Sequence, residues 1–190
     1  ELVALWQNPR LCRHFHISLQ SGSDAVLKRM NRSYDCEQFA EKITYLRVLI
    51  PEVSITTDVI VGFPGETEDE FQDSIEFCRR MKFARTHVFS FSPRPGTAAA
   101  GMAKQIPPET KKLRSKKMNE LGLANLLRYN SRFLESQQLV LFEQQAGGYW
   151  TGYTDNYIKV YTKNAEDLAN CLIPVKLARL KDEGLEGPLA

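Results

Sequence analysis

The spacing of hydrophobic and polar positions changes several times along this 190-residue chain. Residues 14–19 (His-Phe-His-Ile-Ser-Leu) alternate and predict a strand. Gln20-Ser21-Gly22-Ser23 then turns the chain into a short helix from Asp24 to about Met30. Asp35 is a good N-cap, and Gln38 completes a capping box. The helix it opens carries Phe39, Ile43, Leu46 and Ile50 at helical spacing and stops at Pro51. Residues 53–61 predict a second strand, which runs into Gly62-Phe63-Pro64-Gly65-Glu66. Thr67 and Glu70 form a second capping box, and the apolar stripe behind it is Phe71, Ile75, Cys78 and Met81. The acidic start of that helix, Glu68-Asp69-Glu70, suits the positive end of a helix dipole. Residues 86–91 predict a third strand, ending in the turn-rich loop Ser92-Pro93-Arg94-Pro95-Gly96-Thr97.

Strand and helix alternate through residue 97, which predicts an α/β fold with a parallel sheet and right-handed crossovers. Three strands are too few for a closed eight-stranded barrel and fit the later part of a barrel or half-barrel. Pro107 and Pro108 open a long helix over about 108–135, with an apolar set of Leu113, Leu121, Leu123, Leu126, Leu127 and Phe133. Its early part, Lys111-Lys112-Leu113-Arg114-Ser115-Lys116-Lys117, is dense in positive charge. Beyond Gln137 the pattern shortens. Residues 138–143, 149–154, 156–162 and 171–180 predict short strands of a small antiparallel β-barrel, with Gly147-Gly148, Thr154-Asp155 and Lys163-Asn164 as turns. Two domains are expected, 1–137 and 138–190.

Composition narrows the setting. A hydrophobic fraction of 43% and a charged fraction of 25% are ordinary for a globular protein. A net charge of +2 argues for no particular partner. No apolar run approaches the roughly 20 residues of a membrane span, and no secretory pattern opens the chain, so a cytoplasmic protein without a membrane partner is expected. The chain starts Glu1-Leu2-Val3 without Met, with Leu2, Leu5 and Trp6 on one helical face, which reads as entry into a longer protein. Cys12, Cys36, Cys78 and Cys171 are too far apart for a local zinc or iron–sulfur motif and read as reduced, mostly buried thiols. His14 and His16 share a strand face, and without a third ligand they read as packing or hydrogen-bonding residues rather than a metal pair.

In a parallel sheet the three loops after the strands gather at one rim, where ligands bind. Gln20, Ser21, Ser92 and Thr97 supply neutral hydrogen-bonding groups there, which suit a nucleoside-like ligand better than a hydrolytic site. The competing reading is ordinary turn chemistry, with Gly for positive φ and Ser or Thr for capping. The basic run at 111–117 is either a solvated helix face or an RNA-backbone contact. Gly152-Tyr153-Thr154-Asp155-Asn156-Tyr157-Ile158-Lys159-Val160 interleaves aromatics, amides and a cation, as base stacking with phosphate contact requires.

The segments His16-Ile17-Ser18-Leu19-Gln20-Ser21-Gly22-Ser23 with Leu27-Lys28-Arg29-Met30-Asn31-Arg32, Thr57 through Thr67, and His87-Val88-Phe89 through Arg94-Pro95-Gly96-Thr97 resemble the radical S-adenosylmethionine methylthiotransferases. The C-terminal β segment resembles that family's TRAM domain. The resemblance implies the end of a radical SAM half-barrel followed by an OB-like RNA-binding barrel. It implies S-adenosylmethionine contacts at Gln20, Ser21, Val61, Gly62, Phe91 and Ser92, and tRNA contacts at Lys111, Lys112, Lys116, Lys117, Tyr153, Asn156, Tyr157 and Lys159. It also implies two [4Fe–4S] clusters whose cysteines lie upstream, so that this chain holds no metal ligand or catalytic residue and is inactive alone. The implied partner is a tRNA anticodon stem-loop, with the sulfur source unspecified. Tyr153, and Arg13 before His14, point to the branch that methylthiolates threonylcarbamoyl-adenosine at position 37. The alternatives are isopentenyl-adenosine at position 37, a ribosomal-protein aspartate, or an RNA-binding module without chemistry. An isolated half-barrel would expose a sheet edge, so low solubility is expected of the chain alone.

Overall fold

The computed structural model describes residues 2–8 and 10–190. They fall into two compact units: His16–Val48 with Ile55–Asn125, and the residues up to Phe15 with Leu49–Ser54 and Leu126–Ala190. This division differs from a single cut near residue 137, because two earlier segments group with the C-terminal unit.

A three-stranded sheet is ordered β1 (His14–His16), β2 (Ser54–Val61), β3 (Arg85–Ser90), of which His16, residues 55–61 and β3 belong to the first unit. Strands β2 and β3 pair in parallel, with Asp58 opposite His87 and Ile60 opposite Phe89. Beyond β1, Ile17 N–H donates to Thr56 O, and Gln20 bridges Val59 in the parallel sense. Helices α1 (Asp24–Arg29), α2 (Cys36–Leu49) and α3 (Glu68–Met81) lie where the periodicity predicts them. Both predicted capping boxes form. Gln38 N–H donates to Asp35 Oδ1 at 2.8 Å and Asp35 N–H to Gln38 Oε1 at 3.3 Å. Thr67 and Glu70 exchange the same pair of bonds at 3.2 and 2.9 Å. The core combines Ile55, Val59 and Val61 of β2 with Phe39, Phe71, Phe77 and Phe83. Phe39 meets Phe77 and Phe83 edge-on.

The long helix α4 (Pro108–Ser131) is four residues shorter than predicted. Its buried row in the first unit is Arg114, Met118, Gly122 and Asn125, at spacings of four, four and three. Leu113 and Leu123, read from sequence as core, are 62% and 47% exposed. Leucine identity alone misplaced the stripe, because the row that is buried runs through Arg114, Gly122 and Asn125, with Gly122 against Thr86.

The second unit is a six-stranded sheet of β4 (Gln137–Ala146), β5 (Tyr149–Thr154), β6 (Lys159–Thr162), β7 (Leu172–Lys176), β8 (Arg179–Lys181) and β9 (Gly184–Glu186). Its order is β7-β4-β5-β6-β9-β8. Gly147 and Gly148 both take positive φ, as a two-residue hairpin turn requires. Past β9 the chain pairs back to β7, with Lys176 N–H donating to Pro188 O and Ala190 N–H to Pro174 O, which closes the sheet into a barrel. Two details differ from the sequence reading. The β6–β9 pair is parallel, and the predicted strand 171–180 is two strands broken at Leu177-Ala178. Strand β9 is only three residues long and carries no readable alternation. Gly152 is obligatory in β5, since a Cβ there would lie 2.1 Å from Leu141 O.

Candidate functional site

At the strand-end rim, Gln20 takes a left-handed conformation with φ of 70°. Its N–H donates to Asp58 O and its carbonyl accepts from Ile60 N–H, both at 2.8 Å. The backbone is thereby fixed into the sheet while the side chain stays half-exposed. Ser21 is buried, and its Oγ lies 3.0 Å from Ser74 Oγ. Gly22 serves helix packing rather than ligand approach: a Cβ there would stand 2.7 Å from Phe77 Cβ and 2.8 Å from Ser74 Cα. Val61 and Gly62 are buried at the end of β2, and Ser92 is exposed after β3. Phe91 N–H donates to Val61 O at 2.9 Å, and the Phe91 ring meets Phe63 edge-on at 5.2 Å.

Lys111 joins this rim. Its Nζ donates to Phe91 O at 2.9 Å and lies 5.5 Å from the Phe91 ring centroid. Its stem crosses Gly62, where a Cβ would stand 2.5 Å from Lys111 Cγ. Gly62 has φ of +73° and donates its N–H to Glu66 Oε2 at 2.7 Å. The same carboxylate oxygen accepts from Arg114 Nη1 at 2.7 Å, and Arg114 also donates to Glu66 O and Glu68 Oε2. Arg114 lies over the Phe71 ring, with its Nε buried and unpartnered. Burial raises the Glu66 carboxyl above its ordinary value, against the opposing pull of Gly62 N–H and Arg114. Sequence reading placed Arg114 only in a basic run. The signal that finds it is its four-residue spacing from Met118.

Lys111, Lys112 and Lys116 line one cavity of about 470 Å³ with Ser90, Ser115 and Asn119. Lys116 Nζ is 3.9 Å from Glu120, and Lys117 Nζ, facing Glu68 at 3.7 Å, does not line that cavity.

In the barrel unit, Tyr157 has φ of 65° and stacks with two rings. His14 lies against it at 4.4 Å and 9°, and Tyr153 at 4.8 Å and 19°. Asn156 is fully buried, and its Oδ1 accepts from Thr154 Oγ1 at 2.5 Å, so it offers no outer surface. Arg13 grips the same turn through Asp155, at 2.6 and 2.8 Å, and reaches Glu52 at 3.0 Å. Lys159 lies 5.2 Å from the Tyr161 ring centroid. It belongs to a group that sequence reading did not assemble. Tyr149 and Tyr161 meet edge-on at 6.2 Å. Lys181 lies 4.4 Å from Tyr149 and 5.6 Å from Tyr161, and Lys163 lies 5.1 Å from Tyr149. The available signal was the period-two row Lys159, Tyr161, Lys163.

Cys12 and Cys171 are exposed, Cys36 is half-buried and Cys78 is buried, so two thiols depart from the expectation of mostly buried ones. Burial pushes the Cys78 thiol up to about 12. Among the described residues, no three His, Cys, Asp or Glu side chains converge for a metal ion, and no helix is long and apolar enough to cross a membrane.

The sequence model of the Radical SAM superfamily matches residues 1–78. The chain is 45% identical to the threonylcarbamoyladenosine tRNA methylthiotransferase of Thermotoga maritima, over 82% of this chain and 36% of that protein. It is 38% identical to the protein of the same name in Bacillus subtilis, over 94% and 41%. It is also 38% identical to the tRNA-2-methylthio-N(6)-dimethylallyladenosine synthase of Endomicrobium trichonymphae, over 95% and 43%. The chain thus spans about two fifths of the length of the curated relatives it matches. Among solved structures, coproporphyrinogen III oxidase from Escherichia coli overlaps 62% of this chain and 27% of its own, with a TM-score of 0.48 and 20% identity.

Proposed function

The chain belongs to the radical SAM methylthiotransferases, and from that premise we propose that it is part of an enzyme adding a methylthio group to C2 of N6-threonylcarbamoyladenosine at position 37 of tRNA. The observation that carries the proposal is the rim, where Gly62, Phe91 and Lys111 meet at the ends of two parallel strands. Its ligand-facing set is a half-exposed amide (Gln20), a hydroxyl (Ser92), an aromatic ring (Phe91) and one cation (Lys111), with Val61 and Gly62 buried beneath. That set fits a molecule carrying both an adenine ring and an amino-acid carboxylate, as S-adenosylmethionine does. When bound, S-adenosylmethionine supplies the radical that activates a C–H bond. Ser21, held by Ser74, shapes the loop from within, and Lys111 holds a positive charge at the rim.

The described residues do not fit an iron–sulfur cluster, since no set of thiols converges among them. Both cluster sites belong to parts of the whole protein outside this chain, and this chain alone is inactive in methylthiolation. The anticodon stem-loop contacts the lysine-lined cavity and the Tyr149–Tyr161–Lys181 group, with Tyr153 and Lys159 beside the latter. Tyr157 and buried Asn156 act by ordering the β5–β6 turn. The threonylcarbamoyl branch draws support from Arg13 and Tyr153, the two branch-marking residues. Both engage that turn, one through Asp155 and one through Tyr157. Catalysis in the cytoplasm, where tRNA resides, completes the proposal.

The test is expression of the whole gene in a host lacking this modification, followed by nucleoside mass spectrometry of bulk tRNA. Appearance of 2-methylthio-threonylcarbamoyl-adenosine is expected. The isopentenyl product in its place would reassign the branch, and no methylthio nucleoside would overturn the proposal.

A further inference from the structure

Parallel sheets are ordinarily covered and apolar on both faces. The sheet of the first unit is apolar on one face only. Side chains alternate along β2, so Ile55, Thr57, Val59 and Val61 share the buried face, at no more than 1% exposure. Thr56, Asp58 and Ile60 point the other way. Thr56 and Asp58 meet polar partners from β1 and the residues after it. His16 Nε2 stands 3.1 Å from Asp58 Oδ2, and Ser18 Oγ donates to the same oxygen at 2.9 Å. His16 Nδ1 stands 3.0 Å from Thr56 Oγ1. On the other side His87, opposite Asp58 in register, brings its ring to 5.8 Å from that of His16. Phe89, opposite Ile60, is 52% exposed. Burial opposes ionisation of Asp58, but the bonds from His16 and Ser18 prevail, and the carboxyl is held below its ordinary value.

Asp58 lies three residues before Val61, which puts it about 10 Å below the rim at ~3.3 Å per residue. An ionised carboxylate accepts hydrogen bonds at about four lone-pair positions. Both side-chain bonds from β1 and its extension fall on Oδ2, so acceptor capacity remains. An exposed aromatic ring stands two residues along the next strand. A carboxylate beside an aromatic face recognises a planar heterocycle with N–H donors on its edge.

We propose that Asp58 accepts the N6–H of the substrate N6-threonylcarbamoyladenine on this sheet face, with His16 and Ser18 as the positioning residues that aim its carboxylate and Phe89 as the apolar contact for the ring. The inference rests on the tRNA-modifying function proposed above and names the residues that hold its base.

The test uses the whole protein and two synthetic anticodon stem-loops, one with N6-threonylcarbamoyladenine at position 37 and one with its N6-methyl derivative, which lacks the N6–H. A hydrogen bond to a charged acceptor is worth about 1.5–3 kcal/mol, so the wild type is expected to prefer the loop that keeps the N6–H by roughly tenfold or more. Asp58→Ala abolishes that preference while affinity for the N6-methyl loop stays within about twofold. Ser18→Ala, which removes one donor to Oδ2, narrows the preference by about threefold and decides the matter if Asp58→Ala does not fold. His16→Gln restores a donor toward Oδ2 and retains more of the preference than His16→Ala. Wild-type preference retained in both Asp58→Ala and Ser18→Ala would overturn the inference, as would a wild type that binds both loops equally. A wild type that methylthiolates no tRNA would instead overturn the function beneath it.

Discussion

Arg114 and Glu66 form a buried pair, Nη1 to Oε2 at 2.7 Å, with side-chain exposures of 6% and 1%. The carboxylate oxygen that Arg114 holds also accepts the Gly62 N–H, so a residue of α4 fixes the conformation of the loop after β2. Removing one partner of a buried ion pair leaves the other charge uncompensated, at a cost of roughly 3–5 kcal/mol. Arg114→Ala is therefore expected to destabilise the protein by that order in urea denaturation. Lys116→Ala, at an exposed position, is expected to change stability by less than about 0.5 kcal/mol. Equal effects of the two would refute the role given to Arg114.

Gly62 combines a left-handed backbone with the Lys111 stem packed against it. Gly62→Ala incurs about 1–2 kcal/mol from the backbone alone, and more from the clash with Lys111 Cγ. Adding Lys111→Ala should recover the clash and leave the backbone cost. A double-mutant cycle reads the difference directly, and strict additivity would show that the two residues do not press on each other.

The tyrosine–lysine group of the barrel should make the salt dependence of RNA binding its signature. Each lysine that neutralises a phosphate contributes about 0.7–0.9 to the slope of log K against log salt. Lys163→Ala with Lys181→Ala is expected to flatten that slope by about 1.5 and weaken binding at low salt. Tyr149→Ala should weaken binding with little change in slope. A slope unchanged by the double lysine variant would remove this face from the RNA contact.

Glu70 accepts two bonds from Arg29, at 2.9 and 2.5 Å, and closes the capping box with Thr67. The Arg29 bond holds its carboxyl below the ordinary glutamate value, despite the opposing effect of burial. A depressed carboxyl stabilises the fold above its unfolded pKa, and that contribution is lost as pH falls through the folded one. Wild-type stability should therefore drop below about pH 4.5, the region of an unperturbed glutamate. The drop should be shallower in Glu70→Gln, measured as melting temperature against pH, and parallel curves for the two proteins would contradict this.

Much of the fold was legible because its signals are local. The capping boxes at Asp35 and Thr67 depend on residues three apart, and the Gly147-Gly148 turn on two neighbours, so adjacent sequence suffices to specify them. The rim loops were legible for the same reason, since each follows a strand of clear pattern. What sequence left open is what those loop residues touch. Ser21 was expected to face a ligand and instead meets Ser74, fifty-three positions away, because the hydroxyl needs a partner once the loop packs on α3. Arg114 reads as one cation among five, and only the packing of α4 onto the Gly62 loop separates it from the lysines around it. The His16–Asp58 contact and the Tyr149–Tyr161 pair have the same character. The sequence by itself determined the elements, their caps and their turns, because these arise from interactions within a few residues. Only the tertiary structure decided which polar groups are buried, paired or presented, because burial and pairing depend on neighbours brought together by strand register and helix packing.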